Sequence, residues 1–152
     1  VLRPTILDRL TAKDGSSSFE GVSVRELKAS VARDVEWLLN TRVWHPWNLA
    51  GFEEARSSLL AYGLPDLSTY SWAEEDHAKS VGALIEECIK RFEPRLQARS
   101  VHCDVQRADD VADFELRVRI EAVLHVEPIV EPVVFDSGLD IAAGSLRIES
   151  FA

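Results

Sequence analysis

Carboxylates are the side chains of this sequence best placed by number to do chemistry. Glu74, Glu75, Asp76, Glu86, Glu87 and Glu93 fall within one short stretch, and glycoside hydrolysis needs a pair of them, one as acid and one as nucleophile or base. Their abundance weakens that reading, because most fall on the polar side of an amphipathic pattern, where solvated charges need no catalytic role. His45, His77, His102 and His125 show no H-E-x-x-H or other metal-ligand spacing. His102 and His125 sit at strand positions that predict solvent-facing rings. No G-x-S-x-G, phosphate-loop or G-x-G-x-x-G pattern occurs. No catalytic residue, metal site or cofactor is assigned.

Other reactive or adhesive residues have plainer readings. Cys88 and Cys103 lie in apolar-patterned segments without C-x-x-C spacing, which predicts reduced core thiols. Trp37, Trp44, Trp47 and Trp72 could mark an interface or a carbohydrate platform; Trp44-His-Pro-Trp47 either lids the core or meets a partner. Glu93-Pro94-Arg95-Leu96 is the most informative short segment. It is either a helix exit with Glu93 and Arg95 solvated and Leu96 in the core, or a joint where a partly buried Glu93 demands amides or an arginine.

These residues have to be held by recognisable elements. Leu2, Ile6, Leu7 and Leu10 share one helical face, with Pro4 suited to a first turn, which predicts a short docking helix or arm. Thr11 to Gly21, with Lys-Asp-Gly-Ser-Ser-Ser at its centre, reads as a flexible linker. Ser23-Val-Arg-Glu26 is a capping box. It opens a helix whose Val24, Leu27, Val31, Val35 and Leu38 form one stripe, ending near Asn40-Thr41. Residues 42–70 form an irregular layer, with a short helix within Phe52 to Leu60. A second capping box, Ser71-Trp-Ala-Glu74, precedes a stripe of Ala78, Val81, Leu84, Ile85, Cys88, Ile89 and Phe92, and Pro94 stops that helix.

After Pro94 the apolar period changes to two. Val101, Cys103 and Val105 predict one strand, and Phe114 through Val126 a long one with Glu115, Arg117, Arg119 and Glu121 outward, joined by an acidic connection from Gln106 to Asp113. Val133, Phe135, Leu139 and Ile141 share a phase broken only by Ser137, and Ala143-Gly144 offers a turn before Leu146 and Ile148. Helices first and strands afterwards predict an α+β fold: two main amphipathic helices on a four-stranded, mostly antiparallel sheet, with an N-terminal arm. The expected organisation is an arm and linker over residues 1–21 and one domain over 22–152.

Seventeen Lys and Arg against 26 Asp and Glu give a net charge of −9, which repels phosphate backbones and anionic membrane surfaces. Nucleic acid is not an expected partner. No window of ~18 apolar residues occurs, and Val1-Leu2-Arg3-Pro4 lacks signal-peptide features, so a cytoplasmic location without membrane insertion is expected. The start at Val1 and the absence of methionine predict a trimmed N-terminus.

Four segments occur in a telling order: Ile6-Leu-Asp-Arg-Leu10, V-A-R-D-V-E-W-L-L-N-T-R over Val31 to Arg42, S-L-L-A-Y-G-L-P-D over Ser58 to Asp66, and Phe92-Glu-Pro-Arg-Leu96. Together they resemble the TssE family of type VI secretion baseplate proteins, related to the baseplate-wedge proteins of contractile phage tails. The resemblance runs over almost the whole chain. It implies a non-enzymatic adaptor that links a TssF/TssG wedge to the first layer of a TssB/TssC sheath and supports sheath polymerisation. TssK is a further candidate neighbour, and the baseplate docks at the cytoplasmic face of the inner membrane. The family's sheet resembles the sheath's own strand-exchange fold. On this reading Glu93, Pro94, Arg95 and Leu96 organise the helix–sheet joint and sheet edge, while Leu2, Ile6, Leu7 and Leu10 anchor the arm. Phage relatives are described as lysozyme-like, so a peptidoglycan-hydrolysing enzyme is the alternative, although no acid/nucleophile pair supports it.

Overall fold

The computed structural model describes residues 5–11, 21–43, 49, 51–67, 75–107, 115–140 and 143–152. Helices α1 (Ile6–Thr11), α2 (Val24–Asn40), α3 (Glu53–Arg56) and α4 (Glu75–Phe92) precede strands β1 (His102–Arg107), β2 (Glu115–Val126), β3 (Ile129–Asp140) and β4 (Ser145–Phe151). The fold is α+β.

Both reciprocal bonds of the first capping box are present. Ser23 Oγ accepts the Glu26 amide at 3.2 Å, and a Glu26 carboxylate oxygen accepts the Ser23 amide at 2.7 Å. Such a cap contributes about 1 kcal/mol and fixes where α2 begins. The α2 stripe then buries Leu27, Val31, Val35 and Leu38, widened by Ala32 and Leu39. Ser71 and Glu74, the second capping box, lie outside the described residues, but the body of α4 buries Val81, Ile85, Cys88 and Ile89 as its periodicity predicts. It ends at Phe92, two residues before Pro94.

The four strands form a meander in the order β1-β2-β3-β4, with every pairing antiparallel. Alternation decides the faces: Leu116, Val118, Ile120, Ala122 and Leu124 of β2 are buried under the helices, whereas Arg117, Arg119 and Glu121 are exposed. Register carries Cys103, Ile120 and Phe135 across the sheet in one buried row. Ser137, the polar break in the β3 pattern, is also buried, and it is satisfied by donating its hydroxyl to the Val118 carbonyl at 2.7 Å. Phe114, Ile141 and most of the acidic connection lie outside the described residues.

Helix α2 packs beside β4, α4 packs beside β1, and the two helices touch each other. The stretch after α2 is irregular, as predicted, with α3 and a 3-10 turn at Leu59–Ala61 as its helical pieces. It is tied down where Arg42 and Leu64 form an isolated parallel bridge, and Leu64 and Leu67 enter the core. Trp44, His45, Trp47 and Trp72 lie outside the described residues.

Candidate functional site

The joint between α4 and the sheet is built around Glu93. Its amide still bonds the Ile89 carbonyl at 2.9 Å, but Pro94 prevents another helical turn and the side chain swings inward until the residue is only 5% exposed. A carboxylate taken out of water is costly unless charged donors meet it. Arg95 meets it three times: the backbone amide and Nε reach Oε1 at 3.1 and 2.7 Å, and Nη2 reaches Oε2 at 2.5 Å. Of the two readings open for this segment, the buried one is found.

Leu96, next in line, is buried and pairs with Leu124, while the Gln97 amide donates to the Val123 carbonyl and the His125 amide to the Arg95 carbonyl, each at 2.8 Å. The segment therefore extends the sheet beside β2 beyond the end of β1. Pro94 stays exposed at the corner.

Arg95 also reaches across to α2, where Nη2 donates to Asp34 Oδ2 at 2.7 Å. Asp34 Oδ1 accepts from Arg33 Nη2 at 2.9 Å, and Arg33 Nη1 donates to Asp8 Oδ1 on α1 at 2.6 Å. Charges of alternating sign thus run Asp8, Arg33, Asp34, Arg95, Glu93, from the arm through α2 to the sheet joint. The guanidinium of Arg33 also lies 5.1 Å from the centre of the Trp37 ring, a cation–π distance.

Electrostatics follow from these contacts. Hydrogen bonding from Arg33, against the cost of burial and with help from Thr5 and Ser30, lowers the Asp8 carboxyl to about 2. Burial works against the charge of Arg95, yet the bonds to Glu93 and Asp34 outweigh it and hold the guanidinium above its ordinary value. Burial, then the nearby Asp34 charge, pushes the Tyr62 phenol up.

Between α1, α2 and this joint lies a cleft of about 430 Å³ lined by Leu7, Trp37, Tyr62, Phe92, Pro94 and Arg95. Its wall is mainly apolar with an ionic base. Arg95 Nη1 is buried there without a hydrogen-bond partner among the described residues. Trp37 is 50% exposed beside it.

The apolar side chains of the arm stay largely exposed on the chain itself. Ile6 and Leu10 are 74% and 78% exposed and Leu7 is 40% exposed, whereas Asp8 faces the body, held by Arg33 and Ser30. Leu2 lies outside the described residues. Within the chain, α1 is held by an ion pair, with Ile6 and Leu10 outward and Leu7 on the wall of the cleft. Spacing alone does not mark Asp8, Arg33 and Asp34 as site residues. The one available signal is an adjacent Arg33-Asp34 pair flanking the apolar stripe at Val31 and Val35.

The remaining carboxylates have ordinary partners. Glu86 bonds Lys90, His102 and the Cys103 amide, and Glu87 pairs with Arg91 and Arg56. The side chains of Glu74, Glu75 and Asp76 lie outside the described set. His102 and His125 are exposed on the sheet, as expected. Cys88 and Cys103 are free and buried.

The family model of the baseplate wedge protein gp25 matches residues 25–129, more than half of the chain. The chain belongs to the gp25 baseplate wedge family. The matched span includes Arg33, Asp34 and all of Glu93–Leu96; α1 precedes it, and β4 with nearly all of β3 follows it. No curated protein and no solved structure matches the chain. Membership of the gp25 family gives the chain a structural role in a baseplate, in contact with other baseplate or tail proteins. Among the described residues no helix is long and apolar enough to cross a membrane.

Proposed function

We propose that this gp25-family chain is a TssE-type adaptor of a type VI secretion baseplate. It joins a TssF/TssG wedge to the first layer of a TssB/TssC sheath and supports sheath polymerisation at the cytoplasmic face of the inner membrane, with TssK nearby. The observation that carries this reading is the ionic run from Asp8 to Glu93. It ties arm, helix and sheet joint together while leaving Leu7 and Trp37 exposed at an apolar cleft and Ile6 and Leu10 exposed elsewhere on the arm.

Exposed aliphatic and aromatic side chains around a cleft are what a helical or extended partner segment buries. Domain division fits the same role, with residues 1–21 as a docking arm and linker and 22–152 as the body. The role asks for no catalysis: Glu93 is consumed by Arg95, and Glu86 and Glu87 by their own cations.

Co-purification with TssF and TssG, with and without residues 1–12, tests the reading. Loss of the complex on truncation places the arm in the wedge, and retention moves that interface to the folded body. Failure of the full chain to co-purify with either protein overturns the wedge assignment.

A further inference from the structure

The face of the sheet turned away from the helices carries its charges in rows of unequal balance. Asp104, Arg119 and Asp136 stand opposite one another on β1, β2 and β3. There the cation is satisfied, since Arg119 donates Nε to Glu121 at 3.1 Å and Nη1 to Asp136 at 3.0 Å. A neighbouring row on the same face runs Gln106, Arg117, Gly138, Arg147 across all four strands. Arg117 and Arg147 are exposed, and neither has a hydrogen-bond or ion-pair partner among the described residues. Glu149, two residues along β4 from Arg147, makes no ion pair with it. The register shifts there: Ile148 pairs with Ser137 and Ser150 with Asp136, so Glu149 is the extra residue of a bulge and has no cross-strand partner.

Gly138 separates the two arginines without placing a side chain between them. Its φ is not positive, unlike that of Gly63 and Gly144, so the backbone does not demand glycine here. Glycine weakens a strand interior and often marks the close approach of a ligand or another chain. Neighbouring strands lie ~4.8 Å apart, which sets the arginine backbones ~10 Å apart across β3. Each extended arginine side chain spans more than half of that distance, so both guanidiniums can meet at one group over Gly138. Beside Arg117 the sheet face is concave, with a hollow of about 300 Å³ lined by Asp104, Gln106, Arg117, Arg119, Asp136 and Glu149.

We propose that Arg117 and Arg147 form a seat, floored by Gly138, for a single aspartate or glutamate carboxylate of a neighbouring baseplate or tail protein. Charge complementarity selects that occupant: a carboxylate has two oxygens, and a forked guanidinium on each side matches them. Asp104, Asp136 and Glu149 close by, on a chain of net charge −9, repel a broadly acidic surface. The partner therefore presents its carboxylate from a neutral or basic surface. The seat rests on the baseplate contacts that gp25 membership gives, and it holds whether or not the chain is of the TssE type.

NMR titration of the full chain, reading the Arg117 and Arg147 Nε–Hε signals, tests the seat with three probes: an acetyl-Ala-Glu-Ala amide peptide, its glutamine counterpart and inorganic phosphate. The glutamate peptide should shift both signals along one binding curve, and the glutamine peptide should shift neither. Arg147→Gln should weaken the response at Arg117 roughly 2- to 5-fold, the worth of one exposed charge pair. Gly138→Val, which puts a strand-favouring side chain on the floor, should weaken it at least as much. No shift with the glutamate peptide, a shift at one arginine alone, or an unchanged Arg117 curve in Arg147→Gln overturns the shared seat. Tighter binding of phosphate than of the glutamate peptide overturns the carboxylate assignment. In baseplates purified from cells, the chain carrying both Arg117→Glu and Arg147→Glu should keep its urea midpoint and be incorporated at least ~10-fold less than wild type. Full incorporation of that chain overturns the proposal, whereas absence of the wild-type chain from baseplates overturns the TssE-type reading as well.

Discussion

Arg95, in the turn after α4, and Asp34, in the middle of α2, are joined by a 2.7 Å contact between residues 61 apart in sequence. The same nitrogen lies 2.5 Å from Glu93 Oε2, so a single guanidinium holds the two main helices at the sheet joint. Lysine offers one compact ammonium without the planar fork that serves both carboxylates. Arg95→Lys should lower stability by about 2 kcal/mol and Glu93→Ala by about 3 kcal/mol, the latter leaving a half-buried cation short of its main partner. Urea denaturation of each variant checks this, and a double-mutant cycle on Glu93 and Arg95 should return coupling of about 1–3 kcal/mol. If Glu93→Ala left folding, sheath assembly and secretion all unchanged, the organising role of Glu93 would be wrong.

Asp8 governs docking of the arm. Its carboxyl is depressed from 3.8 to about 2 in the folded chain, chiefly by Arg33. A depressed acid contributes its full stabilisation above its unfolded value and loses it as pH falls toward the folded one. Docking should therefore hold at neutral pH and fail between about pH 4 and about pH 2. Asp8→Asn should free the arm at pH 7 at a cost of about 1 kcal/mol or less, since the pair is partly exposed. Limited proteolysis near Arg9, compared between wild type and variant, reads the release, and equal cleavage would show that the ion pair does not hold α1.

Gly63 cannot be replaced without moving the chain. It has φ +113°, and a Cβ there would lie 2.3 Å from the Thr41 carbonyl oxygen. That contact stands beside the Arg42–Leu64 bridge, which seats the Tyr62-Gly-Leu-Pro-Asp66 segment on the end of α2. Gly63→Ala should cost at least ~2 kcal/mol, as strain at a left-handed position adds to the clash. A shift of the urea midpoint by less than half that amount would show that the segment can relax.

The two cysteines should be chemically silent in the native state. Burial pushes the Cys88 thiol up to about 11, with the Gly63 carbonyl contact and Arg91 partly opposing. It pushes Cys103 up to about 12, aided by Glu86 and Asp104. Since the thiolate is the nucleophile, alkylation at pH 8 should run at least ~100-fold slower than in the urea-unfolded chain. Mass spectrometry of iodoacetamide adducts over time measures the ratio. Rapid native labelling of either residue would mean that its segment opens readily.

Local interactions made much of the architecture legible in the sequence alone. Ser23 and Glu26 cap α2 through bonds three residues apart, Pro94 stops α4 by its own ring, and alternation from Leu116 to Leu124 sorts β2 into two faces. These effects depend on neighbours within a turn or a pleat, so spacing reports them. The family resemblance likewise follows from short segments in order, and the gp25 match over residues 25–129 bears it out.

Tertiary structure alone decided which charges leave water and which apolar groups stay in it. Glu93 and Arg95 read equally well as solvated, and only the approach of Asp34 from α2 makes the buried arrangement affordable. Asp8 rather than Ile6 or Leu10 faces the body because Arg33 and Ser30 happen to lie opposite α1. Asn40 and Glu36 look like ordinary polar positions of a helix until β4, more than a hundred residues later, brings Leu146 and Ile148 against them. Desolvation is set by everything that surrounds a group, and most of what surrounds these groups is distant in the chain.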